Sequence, residues 1–326
     1  MITLKVEGLK AYYILDEGNS VKAVDGVNLE LNENEVYGLA GESGCGKSTL
    51  VKAIYGLMTP PLKLIGGNVY YFSDGKKESP FFVDLERLKM IRWKYISYIP
   101  QSSMSVLNPV LKILDIFLDV IKAHEVLSKE EIKTMAEKHL ISLGLPPEVL
   151  KAYPHQLSGG MRQRVVIALA TILKPKVIIA DEPTTALDVV AQRGVIQLLK
   201  NIKNELKSSI ILVTHDMGIH ANIADRIGIM YAGKIVEEAS KEDIFENPRH
   251  PYTKYLIESL PKIGDKSYKK SAPGSPPSLV NPPKGCRFHP RCEKAMRICK
   301  EKVPKLLNID EAHKVACFLY SKEVEE

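Results

Sequence analysis

Residues 41–49, GESGCGKST, leave a chain few ways to fold. They carry the G-x-x-x-x-G-K-[ST] spacing, and they stand after the apolar run VYGLA and before KSTLVKAIYGLM, whose apolar residues recur at helical spacing. A strand, a glycine-rich turn and a helix start, in that order, gather backbone N–H groups and the positive end of a helix around one point. Phosphate oxygens suit that point. Gly41, Ser43, Gly44, Cys45 and Gly46 form the loop, and Lys47 is expected to reach the β- and γ-phosphates of a nucleotide. Ser48 is expected to hold Mg²⁺ through its hydroxyl, with Thr49 beside it. Cys45 occupies a variable position and reads as a small residue in a tight turn.

The rest of the chain agrees with an α/β architecture. The segments ITLKVEGLKAYYI and VKAVDGVNLEL alternate apolar and polar residues, as half-buried strands do. GNVYYF and YISYIP are further strand candidates. From about residue 104 to 174 the pattern is helical: Ser128 with Glu131 makes a capping box, and Ile132, Met135, Ala136, Leu140 and Leu143 line one face. KVIIADE and SIILVTHD are continuous apolar runs separated by a helical stretch, which indicates parallel strands covered on both faces. IMYAGKIVEE reads as a hairpin. The longest apolar run, VVIALATIL, is about half of the roughly 20 residues a membrane helix needs. The start, MITLKVEGLK, lacks the apolar stretch of a signal peptide, so a soluble cytoplasmic protein is expected. A net charge of +6 over 326 residues reads as a solvated lysine-rich surface, and no nucleic-acid partner is expected.

The apolar run of KVIIADEP delivers Asp181 and Glu182 to the carboxyl end of a strand, where open α/β sheets bind ligands. Asp181 is expected in the Mg²⁺ shell and Glu182 as the general base on an attacking water. Four more segments accompany these two: SYIPQ with Gln101, LSGGMRQR from Leu157, TTALD ending in Asp188, and LVTHD with His215. In this order, across roughly residues 1–250, they resemble the Q-loop, signature, D-loop and switch histidine of ABC-type ATPases. The resemblance implies an ABC-type P-loop ATPase: a mostly parallel sheet core, an antiparallel β subdomain and a helical subdomain at about 104–174. It also implies two such domains facing head to tail, each ATP held between the phosphate loop of one and Leu157, Ser158, Gly159 and Gly160 of the other. Asp188 lies at the same junction, and Gln101 joins Ser48 and Asp181 around Mg²⁺. Tyr13 matches the aromatic residue that stacks on adenine, with Tyr12 its neighbouring candidate. Two residues depart from the family pattern. Asn34 replaces a glycine, which Asn tolerates because it accepts left-handed backbone, and Ser102 stands where an acid is frequent.

The end of the chain narrows the family. ENPRHPYTKYLIESLP, then GSPPSLVNPPKGCRFHPRC and HKVACFLY, resemble the C-terminal extension of ATP-binding subunits of dipeptide and oligopeptide importers, a type shared with nickel and some archaeal oligosaccharide importers. VLNP, after Gln101, fits the same subfamily. The resemblance implies a peripheral subunit on the cytoplasmic face of the membrane. It would dock on two permease subunits beside Gln101 and the helical subdomain, pair with a second ATPase chain, usually a different one, and serve an extracellular substrate-binding protein indirectly. The expected domains are 1–260, the ATPase, and 261–326, an extension on a proline-rich linker. Cys286, Cys292, Cys299 and Cys317 stand five, six and seventeen residues apart in that extension. A reducing cytosol disfavours disulfides, and structural zinc uses closer pairs. Four thiolates suit a [4Fe–4S] cluster, which the resemblance implies, with Zn²⁺ second and free thiols third. His289 and His313 are spare candidate ligands. A metal would stabilise a tail poor in large apolar residues, leaving it energetically separate from the ATPase. Two other functions compete. A soluble ABC ATPase acting on nucleic acid or ribosomes would carry two ATPase domains or long coiled coils, and this chain has one phosphate loop and no sustained heptads. In a redox-regulated module hydrolysis would be incidental, which an intact Glu182 and His215 oppose.

Overall fold

A computed structural model describes residues 1–15, 18–73, 75–101, 106–260 and 272–321. Ser102 and residues 261–271 of the expected linker lie outside the described residues. The chain begins with β1 (Ile2–Ile14), β2 (Ser20–Asn32), β3 (Val36–Ala40), α1 (Lys47–Ile54), β4 (Leu62–Ser73) and β5 (Lys76–Glu78). It continues with α2 (Leu85–Ile91), β6 (Ile96–Ile99), α3 (Ile113–Lys122), α4 (Lys129–Ser142), α5 (Gly159–Thr171) and β7 (Val177–Asp181). Next come α6 (Val189–Leu206), β8 (Ser209–Val213), α7 (Met217–Ile223), β9 (Arg226–Tyr231), β10 (Lys234–Ser240), α8 (Lys241–Glu246) and α9 (Pro251–Glu258). The tail adds α10 (Arg297–Glu301), β11 (Leu307–Asp310) and β12 (His313–Val315). These fall into two compact units, one of Ile2–Leu31, Glu35–Phe81 and Val213–Glu326, the other of Met1, Asn32–Asn34 and Phe82–Leu212.

The first unit contains a four-stranded sheet in the order β2-β1-β4-β5. β1 and β4 run antiparallel, with Val6 opposite Val69 and Tyr13 opposite Leu62. In its other sheet β3 runs parallel to β9, and β9, β10, β12 and β11 continue antiparallel. Ala232 and Gly233 join β9 to β10 with φ of 45° and 85°, the left-handed pair that a two-residue hairpin turn needs. Tyr231 and Tyr252 anchor the core of this unit, 4.6 Å apart between ring centres.

In the second unit β8, β7 and β6 follow one another, β6 parallel to β7 with Tyr98 opposite Ile179. Every residue of β7 is buried, as expected for a parallel strand covered on both faces. Ile132, Ala136 and Leu140 of α4 are buried, the face its periodicity predicts. The capping box is formed: Ser128 Oγ accepts from Glu131 N–H at 3.3 Å, and Glu131 Oε2 accepts from Ser128 N–H at 2.8 Å. Asn34 takes the left-handed conformation, φ 53°.

The tail corrects the expectation of an energetically separate appendage. Its described residues belong to the first unit. Glu237 of β10 pairs with Val315 of β12, and Lys22 N–H donates to Leu279 O at 2.9 Å. Phe288 is 1% exposed and meets Tyr231 edge-on at 5.2 Å. The tail does contain few large apolar residues. Phe288 is buried in the core of the unit, with Leu279, Cys286 and Cys292 packed against the same cluster.

Candidate functional site

The phosphate loop stands between the fully buried β3 and α1. Gly46, the residue before α1, has φ 109°, and a Cβ there would lie 2.0 Å from Ala23 O, so only glycine serves. The first turn of α1 holds no acidic residue to oppose the positive end of the helix. Lys47 is buried, and its Nζ donates to Gly41 O at 2.7 Å and Glu42 O at 3.0 Å, which holds the ammonium over the loop. Ser43 and Gly44 are exposed at the turn, and Ser48 is half-buried. Cys45 is buried and its thiol pKa is pushed up by that burial, as a packing residue requires. Tyr13 and Thr49 hydroxyls meet at 3.1 Å, which ties the aromatic ring to α1. Tyr12 instead donates to Asp25 at 2.6 Å, so of the two tyrosines only Tyr13 joins the loop by such a bond. His215 is exposed just after β8. His220 on α7, which no motif marks, is fully buried. Burial pushes its pKa down to about 4, and its Nε2 donates to Thr214 O at 3.1 Å. A Cβ on Gly38 would come within 2.5 Å of His220 Nδ1, so the glycine in β3 makes room for the ring.

In the second unit Asp181 ends β7 and is 1% exposed. Tyr98, on neighbouring β6, donates to Asp181 Oδ2 at 2.9 Å, a partner that no motif announces. Glu182 follows in a left-handed conformation, φ 50°, unusual for a residue with a Cβ and turning the chain sharply off the strand. Thr185 holds it, donating from Oγ1 to Glu182 Oε2 at 3.3 Å. Gln101 is exposed just beyond β6. Leu157 is buried, and Ser158 caps α5 by accepting from Met161 N–H at 3.3 Å. Gly159 and Gly160 open that helix, whose first turn carries no acid. Asp188 caps α6, accepting from Ala191 N–H at 2.8 Å. Each unit thus presents a helix N-terminus compatible with phosphate.

The four tail cysteines are free and line one cavity of about 10 Å³. Burial, reinforced by repulsion from neighbouring thiolates, pushes Cys286 up to about 12 and Cys317 up to about 11. Among the described residues no group of three or more His, Cys, Asp or Glu side chains is arranged to hold a metal ion. The cavity, lined also by eight other residues, has room for about one water, so a cluster would require its walls to spread. Of the candidate histidines, His289 lines the same cavity, its Nδ1 2.9 Å from Cys286 O, whereas buried His313 lies outside it, 2.7 Å from Glu237 Oε1.

Residues 24–185 match the family described as ABC transporter, and residues 236–299 match the oligopeptide/dipeptide transporter C-terminal region. The chain is 47% identical over 325 residues to the dipeptide transport ATP-binding protein DppD of Caldanaerobacter subterraneus subsp. tengcongensis, covering 98% of each chain. This chain belongs to the ABC transporter ATP-binding proteins. It is also 40% identical over 307 residues to the oligopeptide transport ATP-binding protein OppD of Bacillus subtilis, covering 93% of this chain and 85% of that one. Among solved structures it is similar to the ATP-binding cassette MJ0796, a dimer in a post-hydrolysis state bound to ADP and Pi. The TM-score is 0.64 at 32% identity, over 73% of this chain and 98% of that one. The α/β fold expected from the sequence is that of an ABC ATPase, an enzyme whose ATP hydrolysis is coupled to transport. Among the described residues no helix is long and apolar enough to cross a membrane.

Proposed function

We propose that this protein is the ATP-hydrolysing subunit that energises import of dipeptides or oligopeptides. The observation that carries the reading is likeness to DppD along 98% of both chains, phosphate loop and tail together. Lys47 and the loop 41–49 bind the ATP phosphates, and Tyr13 stacks on adenine. Ser48, Gln101 and Asp181 would hold Mg²⁺. Their hydroxyl, amide and carboxylate oxygens are the hard donors that ion prefers, and it neutralises phosphate charge when bound. Glu182 takes a proton from the attacking water as its oxygen bonds to the γ-phosphorus and the bond to the bridging oxygen breaks. His215 orients the γ-phosphate. Leu157, Ser158, Gly159, Gly160 and Asp188 face the nucleotide of a second ATPase subunit, a different chain. Two membrane permeases complete the peripheral assembly at the cytoplasmic face. The test is reconstitution with permease subunits and a substrate-binding protein of a peptide importer. ATP hydrolysis should rise when di- or oligopeptide is added. Stimulation by nickel or oligosaccharide instead would reassign the cargo.

The tail is proposed to carry a [4Fe–4S] cluster on Cys286, Cys292, Cys299 and Cys317. Four free thiols on one cavity, soft sulfur donors throughout, support this reading. Protein made without oxygen should contain about four irons per chain and absorb broadly near ~400 nm. One zinc and no iron would replace the cluster with a zinc site.

A further inference from the structure

Glu42, the second residue of the phosphate loop, is gripped by the end of the chain. The Arg291 guanidinium forms a fork on its carboxylate, with NH1 2.8 Å from Oε2 and NH2 3.0 Å from Oε1. Glu42 N–H donates to the Tyr252 hydroxyl at 2.8 Å, and Glu42 O accepts from Lys47 Nζ at 3.0 Å. Arg291 is 7% exposed, and its Nε donates to Pro273 O at 2.7 Å. Its charge lies 5.7 Å from the ring centre of Tyr231 and 5.9 Å from that of Phe288. In the sequence it stands between Cys286 and Cys292, next to the latter.

Two cations therefore surround Glu42: Arg291 on its side chain and Lys47 on its carbonyl. A bidentate, charge-assisted fork is the stronger hold. We propose that Arg291 is a positioning residue for the phosphate loop. By occupying the Glu42 carboxylate it leaves the Lys47 ammonium available to phosphate, and it makes ATP affinity depend on the seating of the cysteine segment. Without Arg291 the carboxylate loses its partner and draws Lys47, whose ammonium already reaches the Glu42 carbonyl. The inference rests on reading residues 41–49 as the ATP site.

The test measures affinity for a non-hydrolysable ATP analogue with Mg²⁺. Arg291→Met should weaken binding about tenfold, the scale of coupling through a packed network. Adding Glu42→Gln to it should restore affinity to within about threefold of the parent, because no free carboxylate remains to capture Lys47. A merely structural arginine would show no such rescue, so a double variant as weak as Arg291→Met overturns the proposal. So does an Arg291→Met affinity equal to the parent's. A second measurement needs no variant: linkage requires the analogue to slow hydrogen exchange at residues 286–292, and unchanged exchange there also overturns it. Parent protein that binds no analogue would instead refute the nucleotide site itself.

Discussion

Asp181 and Glu182 are consecutive acids with different backbones, which suits the different tasks proposed for them. Asp181 ends an extended, wholly buried strand, its carboxylate held by Tyr98. Glu182 sits in the left-handed region at φ 50°. Glu182→Gln keeps side-chain size and the phosphate cradle but cannot take a proton. It should leave nucleotide binding intact and lower turnover by about 10²–10⁴-fold. Lys47→Ala should instead weaken binding itself. Single-turnover phosphate release beside analogue binding separates the two, and a Glu182→Gln protein with near-parent turnover would move the base elsewhere. The residues proposed for the phosphates, the metal and the base were legible because each sits inside a short motif whose spacing its chemistry dictates. Their supports were not. Tyr98 lies 83 residues from Asp181 and Arg291 lies 249 from Glu42. A tyrosine in a strand or an arginine in a proline-rich tail carries no mark of its partner.

Among the elements, three helices carry a histidine that the fold keeps neutral. His139 on α4 shares a 2.9 Å hydrogen bond with Thr171 of α5, His220 lies on α7, and His250 caps α9 by accepting from Tyr252 N–H at 3.1 Å. Burial pushes each of the three down to about 4. In the unfolded chain each takes a proton below its ordinary value of about 6.5. Between those limits the unfolded state binds more protons, so their contribution is complete above pH ~6.5 and is lost as pH falls toward ~4. Urea unfolding should show stability dropping between pH 7.5 and 5, where most carboxylates stay ionised. His250→Asn, a capping residue that does not titrate, should flatten the slope. A pH-independent midpoint in the parent would show that these rings are hydrated. The long elements were legible in the sequence, since α4 and β7 repeat or sustain an apolar pattern long enough to declare its period. The strands β11 and β12, four and three residues long, have no period to read: β12 exists through pairing with β10, and β11 through pairing with β12.

For the molecule as a whole the sharpest question is what the tail holds. Its proline, serine and lysine content suggested a tether, because composition counts apolar residues without saying where they insert. In the fold, β12 covers the edge of β10, and Phe288 closes the cluster of Tyr231 and Tyr252. His313 reaches the fully buried Glu237, and Arg287 pairs with Asp25 while donating to Ala232 O. Ending the chain at Leu260 removes all four contacts, leaving an open strand edge prone to pairing with other chains. The loss of Phe288 alone should cost about 3–5 kcal/mol by analogy with aromatic truncations in cores. In a unit of this size that lowers the melting temperature by roughly 10 °C. The truncated chain should therefore melt at least that much lower and aggregate on heating. Phe288→Ala in the full chain should reproduce most of the drop with the cysteines still present. That variant separates packing from any metal: if it melts within about 2 °C of the parent while truncation is severe, the tail stabilises through its cysteine site. If truncation itself leaves the melting temperature unchanged, the tail is a tethered appendage after all, and its contacts with β10 and Tyr231 contribute nothing to holding the unit together.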